Sequence, residues 1–183
     1  ACHRHPMRSS LKPALIAFAP NDWHSQWVNR QYLLSRLANE RRIVYSTGAW
    51  FTWQRHSEAW RQAPISGALT KDSGVHIETP PRWILRHLGV RTWDRLALKL
   101  HANWLRRRVS PTDSKYVCML FHPQFEPYLE HLRPGSVAYH AYDLFEGTPG
   151  WTEGHEACER RLLARADLVT TVSEQIADRL HTK

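Results

Sequence analysis

The sequence is poor in cysteine and in long apolar runs, and each shortage disfavours a class of protein. Its three cysteines, Cys2, Cys118 and Cys158, form no CxxC pair, and this odd set favours free thiols in a reducing compartment over a disulfide framework. The apolar segment ALIAFAP at 14–20 is far shorter than the ~20 residues of a membrane-spanning helix. Because Asn21 and Asp22 follow it instead of a small-residue cleavage site, it does not read as a secretory signal. We therefore expect a cytoplasmic protein, with peripheral membrane contact as a possible addition.

Recognisable catalytic and binding motifs are also absent. The chain has no GxSxG, HExxH, Walker A, zinc-finger or RNA-recognition motif, and no repeat or heptad. The loop after the first predicted strand lacks the glycine fingerprint of dinucleotide-binding proteins. Cys2, His3 and His5 lie close together, but the remaining ligands of a structural metal site are missing. The sequence therefore predicts no metal site.

What the chain does contain is typical of a globular domain with an uneven charge. Apolar residues make up 42% and charged residues 23% of 183 residues, which is enough for one domain with a real core. Residues 1–110 carry 18 Lys and Arg against 6 Asp and Glu, whereas residues 111–183 carry 7 against 11. Such a basic half predicts a face that meets anions such as phosphate, nucleic acid or an anionic membrane; a merely solvated basic face is the alternative. Residues 1–13 are expected to be a flexible basic lead-in, and 14–183 the folded domain.

Hydrophobic patterning predicts alternating strands and helices. The predicted strands are 14–19, 42–46, 75–77, 116–121, 137–141 and 168–172, and the predicted helices are 27–39, 92–109, 125–132, 153–165 and a last one after Ser173. This order predicts a single Rossmann-like α/β domain with a mainly parallel sheet flanked by helices. The strands 14–19, 116–121, 137–141 and 168–172 are apolar on both faces, so we expect them to be adjacent in the sheet interior.

Two tryptophan-bearing segments admit more than one interpretation. The stretch 47–74 is predicted to be irregular, and its Trp50, Trp53 and Trp60 either cover a core edge or line a sugar or lipid surface. The helix 92–109 carries an apolar stripe that we expect to face the sheet, with basic residues on its other side. The alternative is a basic amphipathic helix on an anionic membrane. The stripe consists of Trp93, Leu96, Ala97, Leu100 and Trp104, and the basic residues are Arg95, Lys99, Arg106, Arg107 and Arg108.

Polar side chains follow several predicted strands and mark a candidate site. Tyr142, Asp143 and Glu146 follow the strand 137–141, and Ser173 follows the strand 168–172. Parallel sheets bind ligands where their strands end, so these residues are expected to meet the loop 21–27 and His122 at one edge. The local alternative makes Asp143 a turn former and Ser173 a helix cap.

The C-terminal third of the chain resembles a known family. The segments AYHAYDLFEG and ADLVTTVSEQIADRL, joined by a helix rich in Glu and Arg, resemble the N-terminal, acceptor-side domain of GT-B glycosyltransferases of the family-4-like type. The opening DWHSQWVNRQYLLSRLA and the strand ending in FHP are similar to the same group, so the likeness covers residues 14–180. His140 stands where the family usually has Asp, and Leu144 where a second acidic residue often follows Asp143. The matching positions are Tyr139, Asp143, Phe145, Leu162, Leu163, Ala166, Asp167, Leu168, Val169, Ser173 and Leu180.

The resemblance implies a function and a set of partners. It implies a retaining transferase that moves a sugar from a nucleotide-sugar co-substrate to a glycan, lipid-linked or small-molecule hydroxyl, without a metal or another cofactor. In this family the reaction lies between two Rossmann-like domains, and the C-terminal one holds most of the donor. We therefore expect the chain to be an acceptor-side fragment, inactive without a C-terminal domain, and we do not expect nucleic acid as a partner.

The resemblance and the strand-end positions together give the predicted site residues. His140 or Asp143 is expected to orient the acceptor hydroxyl or to accept its proton, and Ser173 to contact a donor phosphate at a helix N-terminus. The predicted acceptor-binding residues are Asn21, Asp22, Trp23, His24, Trp27, His122 and Glu146. The rival hypothesis is a non-enzymatic basic α/β module that binds nucleic acid or an anionic surface.

Overall fold

The computed structural model describes residues 12–109 and 115–182 of the chain. The metal-binding alternative at Cys2, His3 and His5 and most of the predicted lead-in lie outside these ranges. The strands of the described part are β1 (Leu15–Phe18), β2 (Ile43–Ser46), β3 (Trp50–Phe51), β4 (Ala68–Asp72), β5 (Val75–Thr79), β6 (Leu85–Arg86), β7 (Val117–Leu120), β8 (Ser136–Ala141) and β9 (Leu168–Thr171). Its helices are α1 (Asn29–Leu37), α2 (Glu58–Gln62), α3 (Arg91–Val109), α4 (Tyr128–Leu132), α5 (Glu153–Arg165) and α6 (Glu174–His181).

Seven of these strands form one sheet in the order β4-β5-β2-β1-β7-β8-β9. Its strands β5, β2, β1, β7, β8 and β9 are parallel to one another, and β4 pairs antiparallel with β5 at one edge. β3 and β6 form a separate small parallel pair. The predicted α/β class, with a mainly parallel sheet flanked by helices, is confirmed.

The centre of the sheet is β1, whose four residues LIAF are all buried. Ile16 lies between Val44 of β2 and Cys118 of β7. Ile16 and Phe18 belong to a core that includes apolar side chains of α3 to α6, whereas Leu15 and Ala17 belong to a second core with Trp23 and α1. A strand covered on both faces needs apolar residues at every position, which explains why β1 reads as a continuous apolar run.

The expected interior position of the strand 168–172 is wrong. β9 is the edge of the sheet: it pairs with β8 on one side, and no strand of the described residues pairs with the other. Leu168, Val169 and Val172 are exposed. An apolar sequence favours a strand but carries no information about whether a neighbour covers it, and this led to the wrong placement.

The predicted orientation of the helix 92–109 is also wrong, although its bounds are nearly those of α3. Of the expected stripe only Ala97 is buried, whereas Trp93, Leu96 and Leu100 are exposed. The helix packs on the sheet through Leu98, His101, Ala102, Leu105 and Val109. The physical reason is His101, a polar residue that is fully buried because Glu78 and Tyr128 bond both ring nitrogens.

The stretch 47–74, expected to be irregular, contains β3, α2 and β4. β4 and β5 form a hairpin whose turn residues Ser73 and Gly74 both have positive φ, as the common two-residue turn requires. The indoles of Trp50 and Trp60 donate to the main-chain oxygens of Pro80 and Arg82 and so attach this stretch to the segment after β5. In the described part of the chain no helix has the length and apolar character to cross a membrane.

Candidate functional site

The carboxyl ends of the parallel strands bring the predicted site segments to one edge of the sheet. The N–H of Ala19 donates to the oxygen of Ser46 (3.1 Å), and the N–H of Phe121 donates to the oxygen of Phe18 (2.9 Å). The hydroxyl of Tyr45 at the end of β2 donates to the main-chain oxygen of Asn21 (2.7 Å). The loop after β1 is therefore fixed against the ends of its neighbouring strands.

A cavity of about 260 Å³ lies at this edge, where β1, β2 and β5 end. It is bounded by the loop after β1, by the strand ends of β2 and β5, and by α2 with the residues that follow it. The lining side chains with polar or aromatic character include Asp22, Trp23, Tyr45, Thr47, Trp50, Gln62 and Glu78. Its volume is near the lower end of the ~300–1,000 Å³ range of small-molecule pockets, which suits a ligand of few atoms.

Glu78 of β5 borders this cavity, but its carboxylate is fully buried and has no exposed surface. Its Oε1 is in close contact with Nε2 of His101, and its Oε2 has no hydrogen-bond partner among the described residues. The other ring nitrogen of His101 lies 2.9 Å from the hydroxyl of Tyr128, which accepts the N–H of Ala49 (2.8 Å). The network therefore joins β5, α3 and α4 in the interior of the domain.

The proton positions in this network follow from Tyr128. Burial raises the pKa of the Tyr128 phenol, so its hydroxyl keeps its proton at neutral pH. The phenol oxygen of Tyr128 accepts the N–H of Ala49, and the hydroxyl proton of Tyr128 points to Nδ1 of His101. The imidazole then carries its proton on Nε2 and donates to Glu78. This arrangement leaves the second oxygen of Glu78 buried and without a hydrogen-bond partner among the described residues.

Aromatic side chains form the other walls of the cavity. The indole of Trp23 is buried, donates to Oδ2 of Asp72 (2.9 Å) and meets the ring of Tyr45 edge-on at 5.1 Å. The indole N–H of Trp50 is bonded at 3.0 Å to the oxygen of Pro80. Both indoles are thus held in fixed orientations. Flat aromatic faces beside carboxylates are suited to a polyhydroxylated ligand, which has apolar C–H faces and hydroxyl donors.

The remaining predicted residues of the loop after β1 lie at or beside this cavity. Asp22 lines it, and its Oδ1 accepts the N–H of His24 (2.7 Å), which makes Asp22 a turn former as well. His24 is exposed, with Nδ1 3.8 Å from Oδ2 of Asp72. Trp27 is partly exposed and packs edge-on against Trp23 at 5.9 Å.

A second group of aromatic rings lies where β7 and β8 end. The ring of His122 meets Phe145 at 4.6 Å and His155 at 5.8 Å, and Trp151 stacks on His155 at 5.4 Å. Nδ1 of His122 accepts the N–H of Gln124 (3.2 Å). Burial, with a smaller contribution from His155, lowers the pKa of His122 to about 4. His122 is therefore neutral at pH 7, with its proton on Nε2.

The two predicted catalytic residues have different surroundings. His140 is half-buried within β8, with Nδ1 2.8 Å from the hydroxyl of Thr170 and its ring edge-on to Phe121 at 5.3 Å. Burial lowers the pKa of His140, and its Nε2 has no partner among the described residues. Asp143 is exposed, and its Oδ1 accepts the N–H of the next residue, Leu144 (2.8 Å). Asp143 thus has the turn-forming contact that the local alternative predicts.

Glu146 and Ser173 are both engaged by neighbouring protein groups. Glu146 is ion-paired with Arg179 of α6, whose guanidinium also lies 3.4 Å from the buried carboxylate of Glu159. The hydroxyl of Ser173 caps α6 by accepting the N–H of Ile176 (3.3 Å). These contacts hold α6 against the loop after β8.

Glu78, Tyr45, Thr47 and Gln62 border the cavity but were not predicted as site residues, whereas lining a sugar surface was one of the two roles predicted for Trp50. Glu78 gave a signal, because a charged residue stands in the otherwise apolar strand segment VHIET. A buried charge requires a partner, which the sequence did not identify. Tyr45, Thr47 and Gln62 gave no such signal, since the cavity forms only when the stretch 47–74 folds over the strand ends.

Known proteins and metal-site geometry add no assignment to this site. No group of three or more His, Cys, Asp or Glu side chains within residues 12–109 and 115–182 is placed to hold a metal ion. No protein-family model matches the sequence, and a search of curated proteins finds no match. The chemistry of the site therefore has to be argued from its geometry.

Proposed function

We propose that the chain is the acceptor-binding domain of a glycosyltransferase that uses a nucleotide-activated sugar, and that the cavity at the ends of β1, β2 and β5 holds the acceptor. The observation that carries the proposal is the cavity itself, where Asp22 lies beside two indoles, Trp23 and Trp50, that hydrogen bonds hold in fixed orientations. The resemblance of residues 14–180 to the acceptor-side domain of family-4-like GT-B enzymes points to the same edge of the sheet.

The cavity residues would act by binding and orienting the acceptor. Hydroxyl groups of a saccharide or polyol donate to Asp22, and a C–H face of the sugar ring packs on Trp50. Holding the reacting hydroxyl in one orientation beside the anomeric carbon of the donor removes much of the entropic barrier to transfer. The domain thus contributes mainly positioning.

The residues at the ends of β8 and β9 would serve the transfer itself. Asp143 is exposed and can accept the proton of the acceptor hydroxyl as the new glycosidic bond forms. His140 has a free buried Nε2 and a lowered pKa, which suits a neutral orienting group better than a cation. Ser173 opens α6, where main-chain N–H groups favour a donor phosphate.

Saccharide binding by the purified chain tests this proposal. Saturation-transfer NMR with a panel of hexoses, hexose 1-phosphates and disaccharides is expected to identify at least one ligand. Asp22→Asn, which keeps an oxygen for the N–H of His24, and Trp50→Ala should each weaken its binding tenfold or more, about 1.4 kcal/mol. Trp53→Ala is the matched control, because Trp53 is exposed and stacks on Phe51 outside the cavity.

Other results would contradict the proposal. If folded protein binds no member of the panel, or if Asp22→Asn and Trp50→Ala bind the ligand as the unchanged chain does, the cavity is not the acceptor site. Binding of single-stranded nucleic acid that weakens in Trp50→Ala, with no saccharide binding, would favour the non-enzymatic alternative.

A further inference from the structure

The outer face of α3 presents apolar side chains to solvent. Trp93, Leu96 and Leu100 follow the spacing i, i+3, i+7 and so share one side of the helix. They are 53%, 52% and 36% exposed. Their exposure is not a consequence of a poorly packed helix, because the opposite side is buried against the sheet through residues such as Leu98 and Leu105.

This stripe continues beyond the helix and is bordered by basic residues. Leu88 and Val90, just before α3, are also exposed. Arg91, Arg95 and Lys99 are exposed on α3 itself. We define the α3 surface as these eight residues: Leu88, Val90, Arg91, Trp93, Arg95, Leu96, Lys99 and Leu100. Contiguous exposed apolar side chains on a folded domain indicate an interaction surface.

The positive charge of the α3 surface is only partly compensated. Arg95 is paired with Glu130 of α4 at 2.9 Å. Arg91 and Lys99 form no ion pair with any residue of the described ranges. The charge pattern therefore favours a partner that is anionic and has an apolar layer beneath its charges.

Two open cavities border the α3 surface, and basic side chains line both of them together with the carboxylate of Glu130. One, of about 460 Å³, is lined by side chains that include Arg95, Leu96, Lys99 and Arg133. The other, of about 770 Å³, is lined by side chains that include Leu88, Arg91 and Arg95. In both, a guanidinium or ammonium group stands beside an exposed leucine. A phosphate on an alkyl chain would satisfy both kinds of side chain at once.

We propose that the α3 surface docks on an anionic lipid bilayer, with α3 lying in the plane of the membrane interface. Leu96, Leu100 and the ring of Trp93 enter the boundary between headgroups and acyl chains, and Arg91 and Lys99 bind lipid phosphates. Aliphatic side chains such as Leu96 gain little from a nucleic acid, whose recognition uses hydrogen bonds and aromatic stacking. This inference does not rest on the proposed acceptor site.

Co-sedimentation with lipid vesicles tests the proposal. The purified chain is expected to bind vesicles of phosphatidylcholine mixed with phosphatidylserine at least tenfold more tightly than vesicles of phosphatidylcholine alone. High NaCl should weaken this binding because it screens the attraction between the basic side chains and the lipid phosphates.

Matched variants separate the charged and apolar contributions. The double variant Arg91→Glu, Lys99→Glu should lose at least tenfold in affinity for the anionic vesicles, whereas Arg42→Glu, Lys71→Glu makes the same charge change at exposed positions outside the α3 surface and should lose much less. Leu96→Ser should also weaken binding. Ile65→Ser is its control, since Ile65 is an exposed apolar residue outside the α3 surface.

Several outcomes would overturn the proposal. Equal binding to neutral and anionic vesicles, or equal losses in the variants and their controls, would do so. A short DNA that competes with vesicles and binds more tightly would make nucleic acid the partner. A dimer that Leu96→Ser dissociates, without vesicle binding, would make the partner a second copy. Asp22→Asn is expected to retain vesicle binding, so failure of the acceptor-site proposal is recognised separately.

Discussion

At the carboxyl edge of the sheet, polar groups at the ends of β1, β2 and β5 have different kinds of hydrogen-bond partner from those at the ends of β8 and β9. At the ends of β1, β2 and β5, the carboxylate of Glu78 is bonded to His101, which in turn contacts Tyr128, so the partners are 23 and 27 positions apart in sequence. At the ends of β8 and β9, Asp143 accepts from the next residue and Ser173 from a residue three positions on. Local contacts of the second kind form in many turns and helix caps, whatever the protein does.

The difference shows which group of polar residues depends on contacts between distant parts of the chain. Burying a carboxylate is costly unless partners from other elements are in place, and Glu78 still has one oxygen without a partner in the described part of the chain. A turn-forming Asp143 carries no comparable cost because it is exposed. The cavity beside Glu78 is therefore the stronger candidate for a ligand site, although the family resemblance directs attention to Asp143 and Ser173.

The largest expected effect comes from breaking the buried network. Glu78→Ala leaves His101 buried without the acceptor for its Nε2–H and opens a cavity where the carboxylate stood, and the two costs together are expected to reach about 3–5 kcal/mol. We expect the free energy of unfolding, measured by urea denaturation, to fall by this amount. Glu78→Gln keeps an oxygen that can accept from His101 and should be milder.

The control for this prediction is the exposed pair of Arg95 and Glu130. Glu130→Ala removes a carboxylate from a solvated ion pair, and such pairs contribute little to stability. The two substitutions remove the same chemical group from a buried and an exposed pair. If Glu78→Ala were as mild as Glu130→Ala, the contrast between the two sides of the edge would fail.

Much of the fold could be predicted because the residue pattern of its main segments is compatible with only one type of secondary structure. The strand 14–19 is apolar throughout and lies at the sheet centre, as β1 does. The helix 153–165 has the bounds of α5, since Thr152 caps its start by accepting the N–H of His155. Alternation of such segments specifies a parallel sheet, and the sheet then places all its carboxyl ends at one edge.

The errors have a common physical origin in partners that lie far away in sequence. The buried face of α3 depends on His101, which is acceptable in the core only because β5 supplies Glu78 and α4 supplies Tyr128. The edge position of β9 depends on which strands exist beside it. The periodicity of a segment shows which of its own faces is apolar. It does not show which distant residues pack against that segment or which strands lie beside it. For the same reason the cavity was not predicted, although Asp22 and Trp23 in its wall were predicted as acceptor-binding residues.

An intermediate effect on stability is expected when the pH is lowered, and it arises from His122 at the end of β7. The pKa of His122 is about 4 in the folded chain because of burial, below the ~6.5 of an unfolded histidine. Between pH 6.5 and 4 the unfolded state takes up a proton that folded His122 does not, so stability falls as the pH falls. The contribution of this one side chain reaches roughly 2–3 kcal/mol near pH 4.

Two variants that cannot titrate isolate this contribution. His122→Phe and His122→Gln should both lower the slope of unfolding free energy against pH between 6.5 and 4, as measured by urea denaturation at each pH. Part of the slope should remain, because burial also lowers the pKa of His76 and His140. A slope unchanged in both variants would show that His122 takes up its proton in the folded state as readily as in the unfolded state.

The smallest expected effect on stability concerns Asp143. In Asp143→Asn the amide oxygen can still accept the N–H of Leu144, so the turn is kept and the free energy of unfolding should change by less than about 0.5 kcal/mol. The substitution removes the negative charge that would take the acceptor proton. If Asp143 has the proposed role, nucleotide-sugar-dependent transfer by a protein that contains this domain should fall by roughly 10²-fold or more. Unchanged transfer per folded molecule would make Asp143 a turn former and leave the side of the edge around Glu78 as the sole candidate site.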